Sequence, residues 1–209
     1  NLMDLAPTFL QAGGLDAPEG MCARSLMDVL ASEESGQVDP GRTFVVTGRE
    51  RHVADARPGL LPYPQRAIRT GDFLYIRNFE PDRWPMGDPK GLDDPETEPP
   101  SWEDLVHTTR IAYPDMDSSP TKAWLVHHRG DKQVRKLFEM GFGKFPAEEL
   151  YDLREDPHYM RNLAGNSACE EIRQELSDRL MGVLEKQNDP RITESPCRFE
   201  NAPFTDAPA

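Results

Sequence analysis

Glu148-Glu149-Leu150-Tyr151-Asp152-Leu153-Arg154-Glu155-Asp156-Pro157-His158, running on to Asn162-Leu163-Ala164, is the stretch whose reading decides the fold. Leu150, Tyr151 and Leu153 give a short apolar strand. Asp156-Pro157 ends it, because proline has no N–H for a ladder and disfavours helical backbone in the residue before it. The spacing of Ser167 and Glu170 matches a capping box, and Ile172, Leu176, Leu180, Val183 and Leu184 then recur at helical period. Asp189-Pro190 stops that helix. The prediction is a strand, a tight corner and an amphipathic helix folded back over a sheet.

Working outward, Tyr63 to Phe79 reads as a β-hairpin: Ala67-Ile68-Arg69-Thr70, a Gly71-Asp72 turn, then Phe73 to Phe79. It starts a small antiparallel sheet, to which the Leu150–Leu153 strand is added. Upstream, Thr43 to Thr47 is a continuous β-branched and aromatic run, predicted to be a buried strand. It releases into the charged pentapeptide Gly48-Arg49-Glu50-Arg51-His52. Residues 2–10 predict a short helix with Asp4 as a candidate cap and Gly13-Gly14 ending it. Further helices are expected at 25–31, at 102–110, after Ser119-Pro120 with Trp124 and Leu125 buried, and around Val134, Leu137 and Phe138. Residues 80–100 form a Pro-rich acidic loop, unusually long for a compact domain. The tail beyond Arg191 shows no helical period.

The 209 residues carry a net charge of -13 and 20 prolines. That charge argues against nucleic acid as a partner and against a polybasic membrane anchor. No apolar run of spanning length occurs, so no transmembrane helix is expected. Cys22, Cys169 and Cys197 form no CxxC pair; one disulfide with one free thiol, or none, fits the count. His127-His128 are adjacent, hence about 100° apart on a helix and a poor metal pair. Asp93-Asp94 read as a solvated pair. The chain contains no GxSxG, HExxH, P-loop or dinucleotide fingerprint.

The chain resembles the C-terminal portion of a sulfatase. The likeness is carried by "LMDLAPTFLQAGGL" from Leu2, "TFVVTGRERH" from Thr43, "YPQRAIRTGDFLYIRNF" from Tyr63, "PDRWPMG" from Pro81, "DMDSSPTK" from Asp115 and "EELYDLREDPHYMRNLA" from Glu148. In order and kind these segments are similar to bacterial sulfatases of the heparan N-sulfatase, or sulfamidase, type. The resemblance implies an α+β fold: a small antiparallel sheet of about four strands packed by a long C-terminal helix, plus the end of an α/β catalytic domain of the alkaline-phosphatase superfamily. On that reading residues 1–58 are the remnant of the catalytic domain. Residues 59–191 are the small C-terminal domain, with the Pro-rich loop 80–100, and residues 192–209 are an extended tail.

Catalysis in that family implies a formylglycine nucleophile made within a Cys/Ser-x-Pro-x-Arg motif, and a calcium ion held by Asp and Asn side chains. Neither Cys22 nor Cys197 is followed by the required Pro and Arg. Nucleophile and metal ligands are therefore expected in an N-terminal catalytic half of the same protein, which becomes a partner of this stretch; the 209 residues alone are expected to be inactive. The resemblance assigns His52 to the substrate pocket, with Glu50 and Arg51 as weaker candidates. Arg66 is a candidate for bidentate binding of a carboxylate or sulfate, or equally for a structural ion pair. The substrate expected is a sulfated sugar or glycan, and the compartment periplasmic or otherwise extracytoplasmic. The alternatives are a phosphonate or phosphate monoester hydrolase of the same superfamily, and a non-catalytic binding or structural module.

Overall fold

The structure is a computed structural model and describes residues 1–201. The chain divides into two compact units, each assembled from separate stretches of sequence. The first comprises Asn1–Thr47, Ala67–Tyr75 and Leu150–Asn188; the second comprises Gly48–Arg66, Ile76–Glu149 and the segment from Asp189 onward. Four strands form one antiparallel sheet in the order β1-β2-β3-β4: β1 Val45–Arg49, β2 Gln65–Arg69, β3 Phe73–Asn78 and β4 Glu148–Asp152. Every strand contributes residues to both units.

In the first unit, α1 (Leu5–Ala12) follows a single 3-10 turn whose start is capped by Asn1. Asp4, read as a cap, makes no cap bond to α1. It is buried and accepts instead from the Arg24 N–H at 3.2 Å and from Arg42 Nη1 at 2.8 Å. The Thr8 hydroxyl ties α1 to the start of α2 (Met27–Leu30), accepting from the Leu26 N–H at 2.8 Å.

The hairpin turn between β2 and β3 closes through local chemistry: the Thr70 N–H donates to the Phe73 carbonyl at 2.9 Å, and the Phe73 N–H to Thr70 Oγ1 at 3.0 Å. After β4 the corner is held by Asn162. Its Oδ1 accepts from the Leu150 N–H at 3.0 Å and from the Ala164 N–H at 2.9 Å, while the Leu163 N–H donates to the Leu150 carbonyl at 2.7 Å. The Asn-Leu-Ala run therefore folds back on the strand that began the stretch.

The long helix is Glu170–Lys186. Leu176, Leu180 and Leu184, four residues apart, are buried on one face. Ile68, Tyr75 and Leu150 are fully buried in the same unit, one from each of β2, β3 and β4, and the Tyr75 hydroxyl donates to Ser177 Oγ at 3.1 Å. Each such apolar side chain contributes roughly 1.5–3 kcal/mol by leaving water.

In the second unit, three helices, α3 Trp102–His107, α4 Pro120–His127 and α5 Arg135–Phe142, close over a core of Leu92, Leu105, Ala112, Tyr113, Val126, Phe138 and Phe142. The long helix of the first unit is α6 in chain order. Ser119 caps α4 by accepting from the Lys122 N–H at 3.1 Å. Residues 80–100 contain no helix or strand, yet the loop is packed. Leu92 is buried, the Asp88 N–H donates to the Ala56 carbonyl at 2.7 Å, and the Tyr113 N–H donates back to the Asp88 carbonyl at 2.8 Å. Gly87 adopts φ +91, and a Cβ there would meet Pro114 Cδ at 2.7 Å and the Ala56 carbonyl oxygen at 2.9 Å.

Four local expectations are corrected. The strand expected at 43–47 is β1, Val45–Arg49; it lies at the sheet edge, with Val45 37% exposed, because only β2 flanks it. Asn166, not Ser167, caps the turn before α6, since its side chain reaches the Ala168 N–H at 3.1 Å. On α4 the buried side chains are Lys122, Ala123 and Val126, and Trp124 faces out. Asp189-Pro190 begins a further helical turn, α7 Pro190–Thr193, and a 3-10 turn follows at Arg198–Asn201. Residues 202–209, the end of the expected tail, lie outside the described residues.

Candidate functional site

β1 delivers its charged residues into a loop spanning residues 50–57, which belongs with β2's start and the tail in the second unit. Glu50 accepts from Arg66 Nη2 at 2.7 Å and from both Nε and Nη2 of Arg191, and its carbonyl accepts from the Tyr63 N–H at 2.7 Å. Arg66 is 7% exposed. Its guanidinium grips Asp189 bidentately, Nε to Oδ2 at 2.6 Å and Nη2 to Oδ1 at 3.0 Å, and Nη1 donates to the carbonyls of Gln65 and Arg49 at 2.9 and 3.3 Å. The bidentate carboxylate partner of Arg66 is thus a residue of the same chain. Burial alone lowers the Arg66 pKa, but the bonds from Asp189 and Glu50 outweigh it and hold the group above its usual value. Arg191 reaches on to Glu200 Oε1 at 2.5 Å, and Glu200 also receives Arg83. The result is a half-buried alternating network with only Arg66 buried: Arg66, Glu50, Arg191, Glu200, Arg83, with Asp189 closing one end.

Arg51 bonds to backbone carbonyls beside this network. Its Nη2 donates to the Phe199 carbonyl at 2.7 Å and its Nη1 to the Leu60 carbonyl. Burial pulls its pKa below the usual value, against the raising effect of Glu200 and Glu50. His52 is exposed, and among the described residues its ring shows no hydrogen-bond partner. Its neighbour Val53 is fastened: the Val53 N–H donates to Asp115 Oδ1 at 2.9 Å. The other oxygen, Asp115 Oδ2, takes Arg57 Nη2 in an ion pair whose side chains are 4% and 0% exposed. Arg57 also donates from Nε to the Trp84 carbonyl at 2.6 Å and from Nη2 to the Pro85 carbonyl at 2.7 Å. Burial depresses the Arg57 pKa and Asp115 opposes that.

Glu50, Arg51, His52 and Arg66 therefore share one unit, with Glu50 joined directly to Arg66. The sequence reading missed Asp115, Arg57, Asp189, Arg191 and Glu200. Arg57-Pro58 and Asp189-Pro190 carry local signals only for turns, and nothing in spacing joins residues 53 and 115.

Among the described residues no group of three or more His, Cys, Asp or Glu side chains is arranged to hold a metal ion. His128 Nδ1 lies 2.9 Å from Asp131 Oδ2, and the His127 ring sits 5.9 Å from Trp102. Asp93 and Asp94 are exposed. The described residues do not fit a calcium site. All three cysteines are free thiols. A cleft of about 510 Å³ lies in the first unit, lined in part by Asn1, Asp4, Arg42 and Val45; none of Glu50, Arg51, His52 or Arg66 borders it.

In sequence and in fold the chain is similar to the C-terminal portion of sulfatases. In sequence the chain is similar to the ulvan-active sulfatase of Formosa agariphila, 22% identical over 186 residues, which cover 89% of this chain and 29% of that relative. In fold it is similar to BT4656, solved in complex with its substrate D-glucosamine-2-N,6-O-disulfate: TM-score 0.50, 20% identity, 91% of this chain and 25% of that one. BT1596, described as a 2-O GAG sulfatase, aligns at TM-score 0.48 and 16% identity over 96% of this chain and 30% of that one. No family model matches the chain. The chain thus spans less than a third of the length of the curated relative it matches.

Proposed function

We propose that this chain works as the C-terminal portion of a sulfatase acting on a sulfated sugar, and that it lends the substrate pocket His52. The observation that carries the reading is the likeness to the ulvan-active sulfatase over 89% of the chain, supported by the shared fold with BT4656, whose substrate is a sulfated glucosamine. The finer assignment, to the heparan N-sulfatase type, rests on the motif resemblance and makes an N-sulfated glucosamine the first substrate to try. An extracytoplasmic location belongs to the same reading.

His52 stands exposed on a loop whose neighbours are fastened, which suits a side chain that donates an N–H to a sulfate or sugar oxygen. Glu50 and Arg51 serve the pocket indirectly, by fixing the backbone on the N-terminal side of the imidazole. Arg66 holds the base of the loop through Glu50 and Asp189. The formylglycine and the calcium of the proposed enzyme belong to the part of the parent that this chain does not supply. No Cys or Ser here is followed by Pro and Arg at the motif offsets, and no described cluster fits the ion.

The test is sulfate release by the full-length gene product from N- and O-sulfated glucosamine. We expect turnover by the full-length protein and none by the 209 residues alone. His52→Ala should raise KM roughly tenfold, the effect of losing one charge-assisted hydrogen bond, with Tm unchanged. Hydrolysis of phosphate or phosphonate monoesters in place of sulfate esters, or no hydrolysis at all, would overturn the proposal in favour of a sibling hydrolase or a non-catalytic module respectively.

A further inference from the structure

The loop that carries His52 is tied down at almost every other residue. Glu50 is held through its carbonyl by the Tyr63 N–H and through its carboxylate by Arg66 and Arg191. Arg51 is held by the carbonyls of Leu60 and Phe199, Asp55 by Arg110, and the Ala56 carbonyl by the Asp88 N–H. Ala54 and Ala56 are buried. The bond nearest the imidazole on its C-terminal side is the one from the Val53 N–H to Asp115.

Asp115 is an unusual choice of acceptor for a loop N–H. Its side chain is fully buried, so its charge has lost its hydration. The charge is offset by Arg57, itself 4% exposed and bonded to the carbonyls of Trp84 and Pro85. A buried ion pair contributes little net stability over an apolar pair of the same size. What the pair does give is direction. A carboxylate fixed by a planar guanidinium has its second oxygen aimed along one line, and that line ends on the backbone next to His52. Asp115 is in turn fixed by its own backbone, whose N–H donates to the Met86 carbonyl at 3.0 Å. The chain of contacts runs Trp84 and Pro85, Arg57, Asp115, Val53, His52.

We infer that Asp115, oriented by Arg57, is the positioning residue for His52: its Oδ1 holds the Val53 N–H and so sets where the imidazole meets the substrate. This rests on the function proposed above. Asp115 touches no substrate and acts only through the loop, and displacement of a substrate-contacting group by about 1 Å is enough to cost rate or affinity severely.

The experiment is a double-mutant cycle in the full-length enzyme on the sulfated sugar it turns over, with Tm recorded for every variant. Asp115→Asn keeps an oxygen for the Val53 N–H but removes the charge facing Arg57. Asp115→Ala and Asp115→Ser remove the tether, and either serves if the other does not accumulate folded. We expect Asp115→Asn to lower Tm while leaving KM within about twofold. The tether-cutting variants should raise KM roughly tenfold, as His52→Ala does. In the His52→Ala background they should then add nothing further. Multiplicative effects of the two sites, or KM shifts that simply follow Tm across Asn, Ser and Ala, would overturn the positioning role and leave His52 in place. A silent His52→Ala would remove both that role and the reading of His52 as a pocket residue, while sulfate release by the wild type would still stand.

Discussion

At the scale of single residues, Lys122 shows how much a buried charge can organise. It is 1% exposed, and its Nζ donates to the carbonyls of Thr109, Tyr113 and Met116 at 3.1, 3.2 and 2.8 Å. One ammonium thus closes three backbone acceptors between the end of α3 and the start of α4. Lys122→Met keeps the length but leaves those carbonyls without that donor. It should cost about 3 kcal/mol in urea unfolding, the range for stranding buried polar groups.

Burial pushes the Lys122 pKa down to about 8 from 10.5, with Asp117 pulling weakly the other way. Between those two values the unfolded chain binds more protons than the folded one, so stability should rise as pH climbs from 8 towards 10. Tyr63 and Tyr113 act with the opposite sign. Burial raises both phenols well above 10, so above that pH only the unfolded chain loses their protons and stability should fall. Unfolding free energy measured against pH should therefore pass through a maximum near pH 10, and the rising limb should be missing in Lys122→Met.

At the scale of elements, Asp189 serves two structures with one carboxylate. It caps α7 by accepting from the Arg191 N–H at 2.9 Å, and it takes Arg66 of β2 bidentately. Burial raises its pKa, but the Arg66 bonds, the Arg191 N–H and the charges of both arginines together outweigh burial and hold the group below the usual carboxylate range. Asp189→Ala removes the cap and the bidentate partner of Arg66, which keeps Glu50 and two carbonyls. A loss of about 2–3 kcal/mol is expected, against roughly half that for Asp189→Asn, which retains the cap. Thermal unfolding of the two variants side by side measures the difference. Gly48→Ala works on the same network from the other side, since a Cβ there would lie 2.7 Å from Arg66 Cδ.

These elements also show what was legible beforehand. The hairpin β2–β3 was readable because a Thr-Gly-Asp turn closes through bonds between residues three apart. The face of α6 was readable because its leucines repeat every four. The exposure of β1 was not, since whether a Val-Val run is central or at an edge depends on which strands flank it. The tail was misread because Asp-Pro signals a helix stop and a helix start equally well, and only Arg66, more than a hundred positions away, gives Asp189 its second partner. His52 is proposed for the site from the resemblance of its neighbours alone, and the bond from Val53 to Asp115 leaves no trace in spacing.

At the scale of the whole molecule, two properties pull against each other. The chain carries a net charge of -13, yet Leu2, Leu5 and Phe9 recur along the opening 3-10 turn and α1 and are 83%, 38% and 68% exposed, with Leu15 and Leu30 exposed nearby in sequence. Spacing of three and four residues sets the first three on one side. Exposed apolar side chains of this kind favour association, and like charge resists it. The isolated 209 residues should therefore self-associate more as salt is raised and the repulsion is screened. Sedimentation at low and high ionic strength checks this, and Leu2→Ser with Phe9→Ser should abolish the salt-driven increase.

The three thiols differ in accessibility: Cys22 is exposed, Cys169 half-buried, and Cys197 buried at 8% within the segment that runs from α7 to Glu200. That grading makes the chain its own stopwatch. An alkylating reagent marks Cys22 at once and Cys169 after it, whereas Cys197 is marked only in molecules whose segment has let go of Arg66, Glu50 and Arg83. With reagent in enough excess that alkylation outpaces reclosing, the lag before the third mark is the lifetime of the charge network, read by mass alone.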